Sequence, residues 1–340
     1  MCSKTKYLFY ILAAVLVCLF VSTLDAEVLI EHYHRMGWHF YGVIAISLLA
    51  YTFATLGWLL CLDQLMRWSQ FKPYFLARLV GEIFSTINPT GILAGDALKV
   101  HLLTQKGETR NKVVESVTVS RVLLWVSFVL VLIVTLLLFS SGKMASTTLF
   151  LLLSSVLVAA AVLLLLILFH PKTYIYKAVQ KLQAKVQWAW LEQRLPQLLV
   201  YNNNTVLIWQ NHRQKLLIAI VLFGIHYLLG ALEFQYILWS LGVHIDFSMA
   251  VYLEVATSFL RSVMAFIPGQ VGVEEYGNKY FLSMLGITDD KIWVTVSIIR
   301  RLRQVLWLTV AIISYFWYFK ASPSTSFHNA KNFTDGRLVH

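Results

Sequence analysis

In a chain of 340 residues that is 58% hydrophobic and only 13% charged, charges inside apolar runs are the first candidates for chemistry. A charge at membrane depth is costly, so it faces a partner or a cavity. Asp96 precedes Lys99 by three residues and Glu275 precedes Lys279 by four, spacings that put each pair on one helix face. Glu254 and Arg261, seven apart, also share a face. Arg121 and Arg300 follow in the next apolar runs, and a guanidinium can hold phosphate oxygens as a bidentate fork. Two breaks in apolar sequence stand beside these charges. The first carries Asn88, Pro89, Gly91 and Gly95; the second carries Pro268, Gly269 and Gly272, followed by Glu274 and Glu275. Proline removes a backbone donor and glycine permits unusual dihedrals, so neither stretch continues a helix. Helix starts behind such breaks present free N–H groups and a positive end, which suits anions. The chemistry this set suggests is phosphate binding by Arg121 and Arg300, with Asp96 and Glu275 orienting them or carrying protons. A purely structural reading makes Asp96 and Glu275 helix N-caps, neutralised by the arginines.

Other candidates are weaker. His226 and Glu233 share a face without a repeat partner. Arg301 and Arg303 are read as snorkelling or locally paired. His32, His34 and His101 make no metal site, and no metal or cofactor is expected. The chain contains no G-x-S-x-G, H-E-x-x-H or P-loop, so an enzyme is not expected. Cys2, Cys18 and Cys61 have no metal spacing and read as thiols without a disulfide framework.

The elements that must position these residues follow from hydropathy. A mean hydropathy of +0.68 is too apolar for an ordinary soluble domain. The expected fold is an all-α polytopic membrane protein with about six transmembrane helices and two re-entrant helical hairpins in an inverted repeat. The expected spans are 7–24, 41–62, 113–139, 148–169, 216–239 and 293–318. A signal peptide is the alternative for 7–24, and the spans that follow favour a retained helix. The hairpin arms are 75–87 with 96–104, the first carrying Arg78 and Glu82, and 247–267 with 275–285. Such breaks are tolerated in a bilayer only where protein or water covers the freed backbone groups. One membrane domain covers 1–320, with repeat units of about 39–141 and 216–318 and an amphipathic insert of about 172–215. Residues 321–340 form a polar tail read as disordered.

An offset of 179 residues aligns the two breaks without a gap: Pro89 on Pro268, Asp96 on Glu275, Gly107 on Gly286 and Arg121 on Arg300. The net charge of +11 reports cytoplasmic loops and anionic lipid, and no nucleic-acid module is visible. The insert holds seven basic residues against one acidic residue, and Lys172, Lys177, Lys181 and Lys185 suit an anionic leaflet or an ordinary positive-inside loop. Asn202, Asn203 and Asn204 mark a turn in it. Basic loops flank the first hairpin, whereas Asp246, Asp289 and Asp290 flank the second. The hairpins are therefore expected to enter from opposite sides, with both termini cytoplasmic.

Residues Asn88-Pro89-Thr90 through Lys99, and Ile267-Pro268-Gly269-Gln270-Val271-Gly272-Val273-Glu274-Glu275, resemble the two signature regions of the lysylphosphatidylglycerol synthase transmembrane family. The resemblance covers about 7–320, and Gln270 stands where many relatives carry a second glycine. It implies a multi-pass protein of the bacterial inner membrane with a flippase-like role, moving a phospholipid or another lipid with a polar head group between leaflets. It implies no aminoacyl transfer, which in that family belongs to a C-terminal soluble domain. The alternative is an accessory protein that binds or presents a lipid intermediate to a biosynthetic enzyme. A partner enzyme or a homo-oligomer is compatible with either.

Overall fold

The computed structural model describes residues 36–62, 68–87, 92–139, 189–264, 267, 270 and 272–320, of which 87, 92, 136–139 and 189–211 are described by backbone alone. The expected spans 7–24 and 148–169 and the tail lie outside the described residues. So do Lys172, Lys177, Lys181 and Lys185 of the insert, and Asn88, Pro89, Gly91, Pro268 and Gly269 of the breaks.

Among the described residues the architecture is all-α, with eight α-helices: α1 (His39–Leu60), α2 (Phe71–Ile87), α3 (Ile92–Gln105), α4 (Arg110–Phe139), α5 (Ala189–Ser240), α6 (Phe247–Val263), α7 (Val273–Met284) and α8 (Asp290–Ser314). A 3-10 turn, Trp68–Gln70, leads into α2, and a π turn, Tyr315–Lys320, extends α8. Three helices are long and apolar enough to cross a membrane: α1, α4 through Thr135, and α5 from His212. At about 1.5 Å per residue, the 22 residues of α1 reach about 33 Å, matching a hydrocarbon core of about 30 Å. α8 fits the length but carries Arg300, Arg301 and Arg303 in its middle.

One expectation fails in α5. Asn202, Asn203 and Asn204 are helical, and the chain bends instead at His212, where φ is −129°. Asparagine costs a helix only about 0.7 kcal/mol per residue at most, too little to break it between Leu198 and Trp209.

α2 with α3 and α6 with α7 form two helical hairpins. In the first, the backbones touch: a methyl added to Gly95 would lie 2.2 Å from the Gly81 carbonyl oxygen. Gly81 also meets Lys99, so the arms run antiparallel. In the second, Leu260 packs on Gly277 and the Tyr252 hydroxyl donates to Met284 Sδ at 3.4 Å, again antiparallel. The first break spans four residues, 88–91, and the second nine, 264–272. α3 starts four residues before Asp96, so Asp96 is not the expected N-cap. Glu275 is not the N-cap of α7 either, since Gly272 is; from the third position of the helix its carboxylate reaches back to accept the Gly272 N–H at 2.9 Å.

The core divides along α1. One apolar cluster gathers Phe40, Val43, Phe234, Tyr252, Phe281 and Val296. Another, toward the far end of α1, gathers Trp58, Leu62, Tyr74, Leu102, Val113 and Phe223. Between them the middle of α1 presents Ser47 and Tyr51, and Ser47 accepts the Trp307 indole N–H at 3.0 Å. Hydrophobic burial thus closes both ends and leaves a polar layer halfway along the helices.

Candidate functional site

Two adjoining cavities occupy that layer. The first, of about 220 Å³, draws on Ser47 and Tyr51 of α1, Glu233 of α5, Glu254 of α6 and Arg300 and Arg303 of α8. The second, of about 280 Å³, draws on Arg78 of α2, Arg121, Leu124, Trp125 and Phe128 of α4 and Tyr227 of α5. Glu82, Thr86, His226, Arg261 and Gln270 line both. Ser47, Arg121, His226 and Arg300 lie close to the midpoints of their helices or apolar stretches. Thr86, beside the first break, and Gln270, in the second, both line the two cavities.

On the first hairpin's side, Asp96 accepts Arg121 Nε at 3.0 Å and Nη2 at 2.5 Å, a bidentate fork, and Lys99 Nζ at 3.1 Å. Arg78 pairs with Glu82 at 2.7 Å, the i,i+4 spacing of one α2 face. Arg121 remains 27% exposed at its side chain, so it reaches the cavity while Asp96 steadies it from behind.

On the second side the arginines of α8 are sealed, while Arg261 of α6 stays 24% exposed at its side chain. Arg300, 1% exposed, donates through Nε to Glu274 at 3.0 Å and through Nη1 to Glu254 at 3.4 Å. Its guanidinium also lies 4.0 Å from the centre of the Phe234 ring. Gln304 closes the far side of Glu274 at 2.8 Å. Arg301 donates to Glu275 at 2.8 Å and to the Gln270 carbonyl at 2.9 Å. Arg303 pairs with Glu233. Gln270 holds φ at +50°, a left-handed conformation uncommon for glutamine, and its amide donates to the Arg261 carbonyl at 3.0 Å. Arg261 in turn donates to Ser258 at 2.8 Å and Glu254 at 3.2 Å.

These contacts revise several expectations. The offset matches Arg300 to Arg121 and Glu275 to Asp96, yet Glu275 pairs with Arg301, and Arg300 with Glu274 and Glu254. The reason is local. Glu275 turns back to the Gly272 N–H, and the helical rotation of one residue aims Glu274 into the core, where it is 1% exposed. Lys279 leaves Glu275 and lies 3.6 Å from Asp290. Arg303 does not pair locally, and Arg301 does so only in part, through Nη1 to Gln304 at 2.9 Å; both bind carboxylates of other helices. The structure brings Arg121, Glu254, Arg261 and Arg300 to the cavities. Asp96 stands behind Arg121 with Lys99 against it, Glu274 stands behind Arg300, and Glu275 holds Arg301, while Gly95 serves helix contact and Gly272 a cap.

Glu82, Gln270, Gln304 and Arg78 were not among the expected site residues. Spacing could have found some of them: Arg300, Arg303, Gln304 and Trp307 recur at i, i+3, i+4 and i+7, one face of α8.

Chemically, the second cavity offers three guanidinium groups against the single carboxylate of Glu82, beside an apolar wall of Leu124, Trp125 and Phe128. That combination suits an anionic group with an apolar attachment. No curated protein and no solved structure matches the chain. A family profile does, over residues 7–313, and it covers both hairpins and every helix that lines the cavities. The chain belongs to the family of the lysylphosphatidylglycerol synthase TM region.

Proposed function

We propose that this protein moves a phosphate-bearing lipid between the leaflets of a membrane. The observation that carries the reading is the placement of the basic second cavity. It lies halfway along the helices, draws on Thr86 and Gln270 beside the two breaks, and has aromatic residues on one wall. A head group enters this cavity, its phosphate meets Arg121 and Arg261, and its acyl chains remain in lipid beyond Leu124, Trp125 and Phe128. The family supports a lipid as the substrate, since its name is that of a phospholipid synthase membrane region.

The hairpins act as re-entrant elements of an inverted repeat, entering from opposite faces. Charge and aromatic residues support the orientation. At the base of the first hairpin, Lys106 lies 4.3 Å and Lys72 5.5 Å from the Tyr318 ring centre, a basic interfacial belt. At the base of the second, Lys279 and Asp290 stand beside Trp293, with Trp38 and Trp239 exposed at the same end of the molecule. The first end faces the cytoplasm, which places the C-terminal end of α8 there, and the membrane is the bacterial inner membrane.

The test is leaflet exchange in proteoliposomes containing head-group-labelled phosphatidylglycerol, whose outer-leaflet label is quenched chemically. The native protein exposes the inner pool. Arg121→Ala and Arg261→Ala each slow exchange at least about tenfold, the effect of losing one charge-assisted contact of about 1.5–3 kcal/mol. Native-rate exchange in both variants would refute the reading. Lipid binding without exchange by the native protein would assign it the accessory role instead.

A further inference from the structure

Five residues line both cavities, and one of them, His226, takes no part in the ion pairs around it. It sits on α5 at the midpoint of the membrane-length stretch His212–Ser240. Its Nδ1 lies 3.0 Å from the Ala50 carbonyl oxygen of α1. A carbonyl only accepts, so Nδ1–H donates and Nε2 carries the lone pair. Nε2 has no hydrogen-bond partner among the described residues. It is also not one of their sealed, unpartnered polar atoms, which belong to Tyr74, Arg78, Glu233, Asn278 and Arg303. The lone pair is therefore open to the cavity space.

A phosphodiester offers only acceptors, so a lone pair turned toward it repels it. A proton on Nε2 makes both ring nitrogens donors. The surrounding charge sets when that proton binds. The second cavity has Arg78 and Glu82 of α2, Arg121 of α4 and Arg261 of α6, three guanidinium groups against one carboxylate. The first is balanced: Glu82, Glu233 of α5 and Glu254 of α6 stand against Arg261 and, from α8, Arg300 and Arg303. Each of these carboxylates already has a guanidinium, so a proton on any of them breaks a pair. Tyr51 of α1 and Tyr227 of α5 add neutral hydroxyls. Behind the walls Asp96 faces Lys99, and Glu274 and Glu275 face Arg301, so the whole network has one more cation than carboxylates. An imidazolium in the empty cavity adds to that excess, whereas a bound anion cancels it. Linkage makes the effect mutual: the anion favours the proton and the proton favours the anion.

We infer that His226 is a protonation site that couples anion binding in the second cavity to uptake of one proton at Nε2, so that the protein carries anion and proton together. The inference rests on the proposed lipid reading and adds a driving force to it. The proton comes from the aqueous phase and joins the Nε2 lone pair, while Nδ1 keeps its own proton and its bond to Ala50. When the head group leaves, the positive excess returns and the proton leaves with it. For a phosphodiester the two charges cancel, so the crossing does no work against the membrane potential. Anion and proton move in the same direction, so a pH difference across the membrane gathers the lipid in the leaflet on the alkaline side.

The test places the full chain in phosphatidylcholine proteoliposomes with a trace of head-group-labelled phosphatidylglycerol and a lumen about one pH unit more alkaline than the medium. One proton per lipid enriches the label in the inner leaflet by up to about tenfold over protein-free vesicles under the same gradient. Reversing the gradient reverses the enrichment. His226→Gln, whose amide still has a donor for the Ala50 carbonyl, slows exchange, and the exchange that remains shows no enrichment. Exchange by the native protein without enrichment overturns the inference and leaves the lipid reading intact. Enrichment that survives in His226→Gln overturns it as well, because the proton then sits elsewhere. If the native protein exchanges no lipid, the lipid reading itself fails and the inference falls with it. Calorimetry of the native protein with dihexanoyl phosphatidylglycerol, in two buffers of different ionisation heat, counts the protons taken up on binding. A count of zero overturns the inference even if His226→Gln does not fold.

Discussion

The two hairpins share a plan and differ in how they hold charge. In the first, α2 and α3 touch backbone to backbone across a four-residue break, and Arg121 stands partly open in front of Asp96. In the second, α6 and α7 are joined by nine residues, and Gln270 ties that longer break to Arg261 and Arg301. There Arg300 is enclosed by Glu254, Glu274 and Phe234. A buried guanidinium with two carboxylates holds helices together and has little left to offer a ligand; a half-open one with a single carboxylate can still receive an anion. The same topology therefore supports two jobs: Arg300 and Arg301 of α8 anchor the fold, while Arg121 of the first half and Arg261 of the second, 27% and 24% exposed at their side chains, present charge to the cavity.

The largest expected effect probes that division directly. Arg300→Ala leaves Glu274 and Glu254 short of their central partner and lowers stability by about 3–5 kcal/mol, the usual result of breaking a buried pair. Arg121→Ala produces a much smaller shift, because Asp96 keeps Lys99 at 3.1 Å. Thermal unfolding of the detergent-solubilised variants compares them. Equal losses would erase the distinction between anchor and ligand site.

A middle-sized effect contrasts the helix contacts. Gly95→Ala drives a methyl against the Gly81 carbonyl oxygen at 2.2 Å, and backbone there cannot yield without separating the arms. It destabilises by about 1–3 kcal/mol, as overpacking does. Gly277→Ala crowds the flexible end of Leu260, at 2.7 Å, meets the Phe281 ring at an ordinary 3.6 Å, and costs less. The same unfolding assay ranks the two, and a reversed order would mean that the second hairpin is the tighter one.

The smallest effect lies outside the polar layer. Lys279 and Asp290 are 55% and 74% exposed at their side chains, so Lys279→Ala leaves unfolding and lipid exchange unchanged. A clear drop in exchange would extend the working region to the outer end of the second hairpin.

Much of this was legible in the residues. Apolar runs located α1, α4 and the membrane-length part of α5 to within three residues at most ends, because helix length and hydropathy are local properties. The Pro/Gly breaks located both hairpin tips for the same reason. Glu254 with Arg261 and Asp96 with Lys99 were readable from their spacing, since same-face neighbours on a helix are set by its pitch. The carboxylate partners of Arg301 and Arg303 were not legible because Glu275 and Glu233 lie 26 and 70 residues away on other helices. Glu275 with Lys279 had good spacing and still did not pair, since capping the Gly272 N–H and binding Arg301 took its carboxylate.

By itself the sequence determined the helical class, the membrane setting, the two breaks and the residues that carry charge into apolar surroundings. Each follows from hydropathy, helix pitch and backbone restriction, which act over a few neighbouring residues. Only the tertiary structure decided which carboxylate each arginine takes, which arginines remain open, and that one cavity is balanced while its neighbour is basic. Those outcomes depend on the rotation of one helix against another. A single residue of register, about 100° around the axis, separates Glu274 facing Arg300 in the core from Glu275 facing Arg301 at the break.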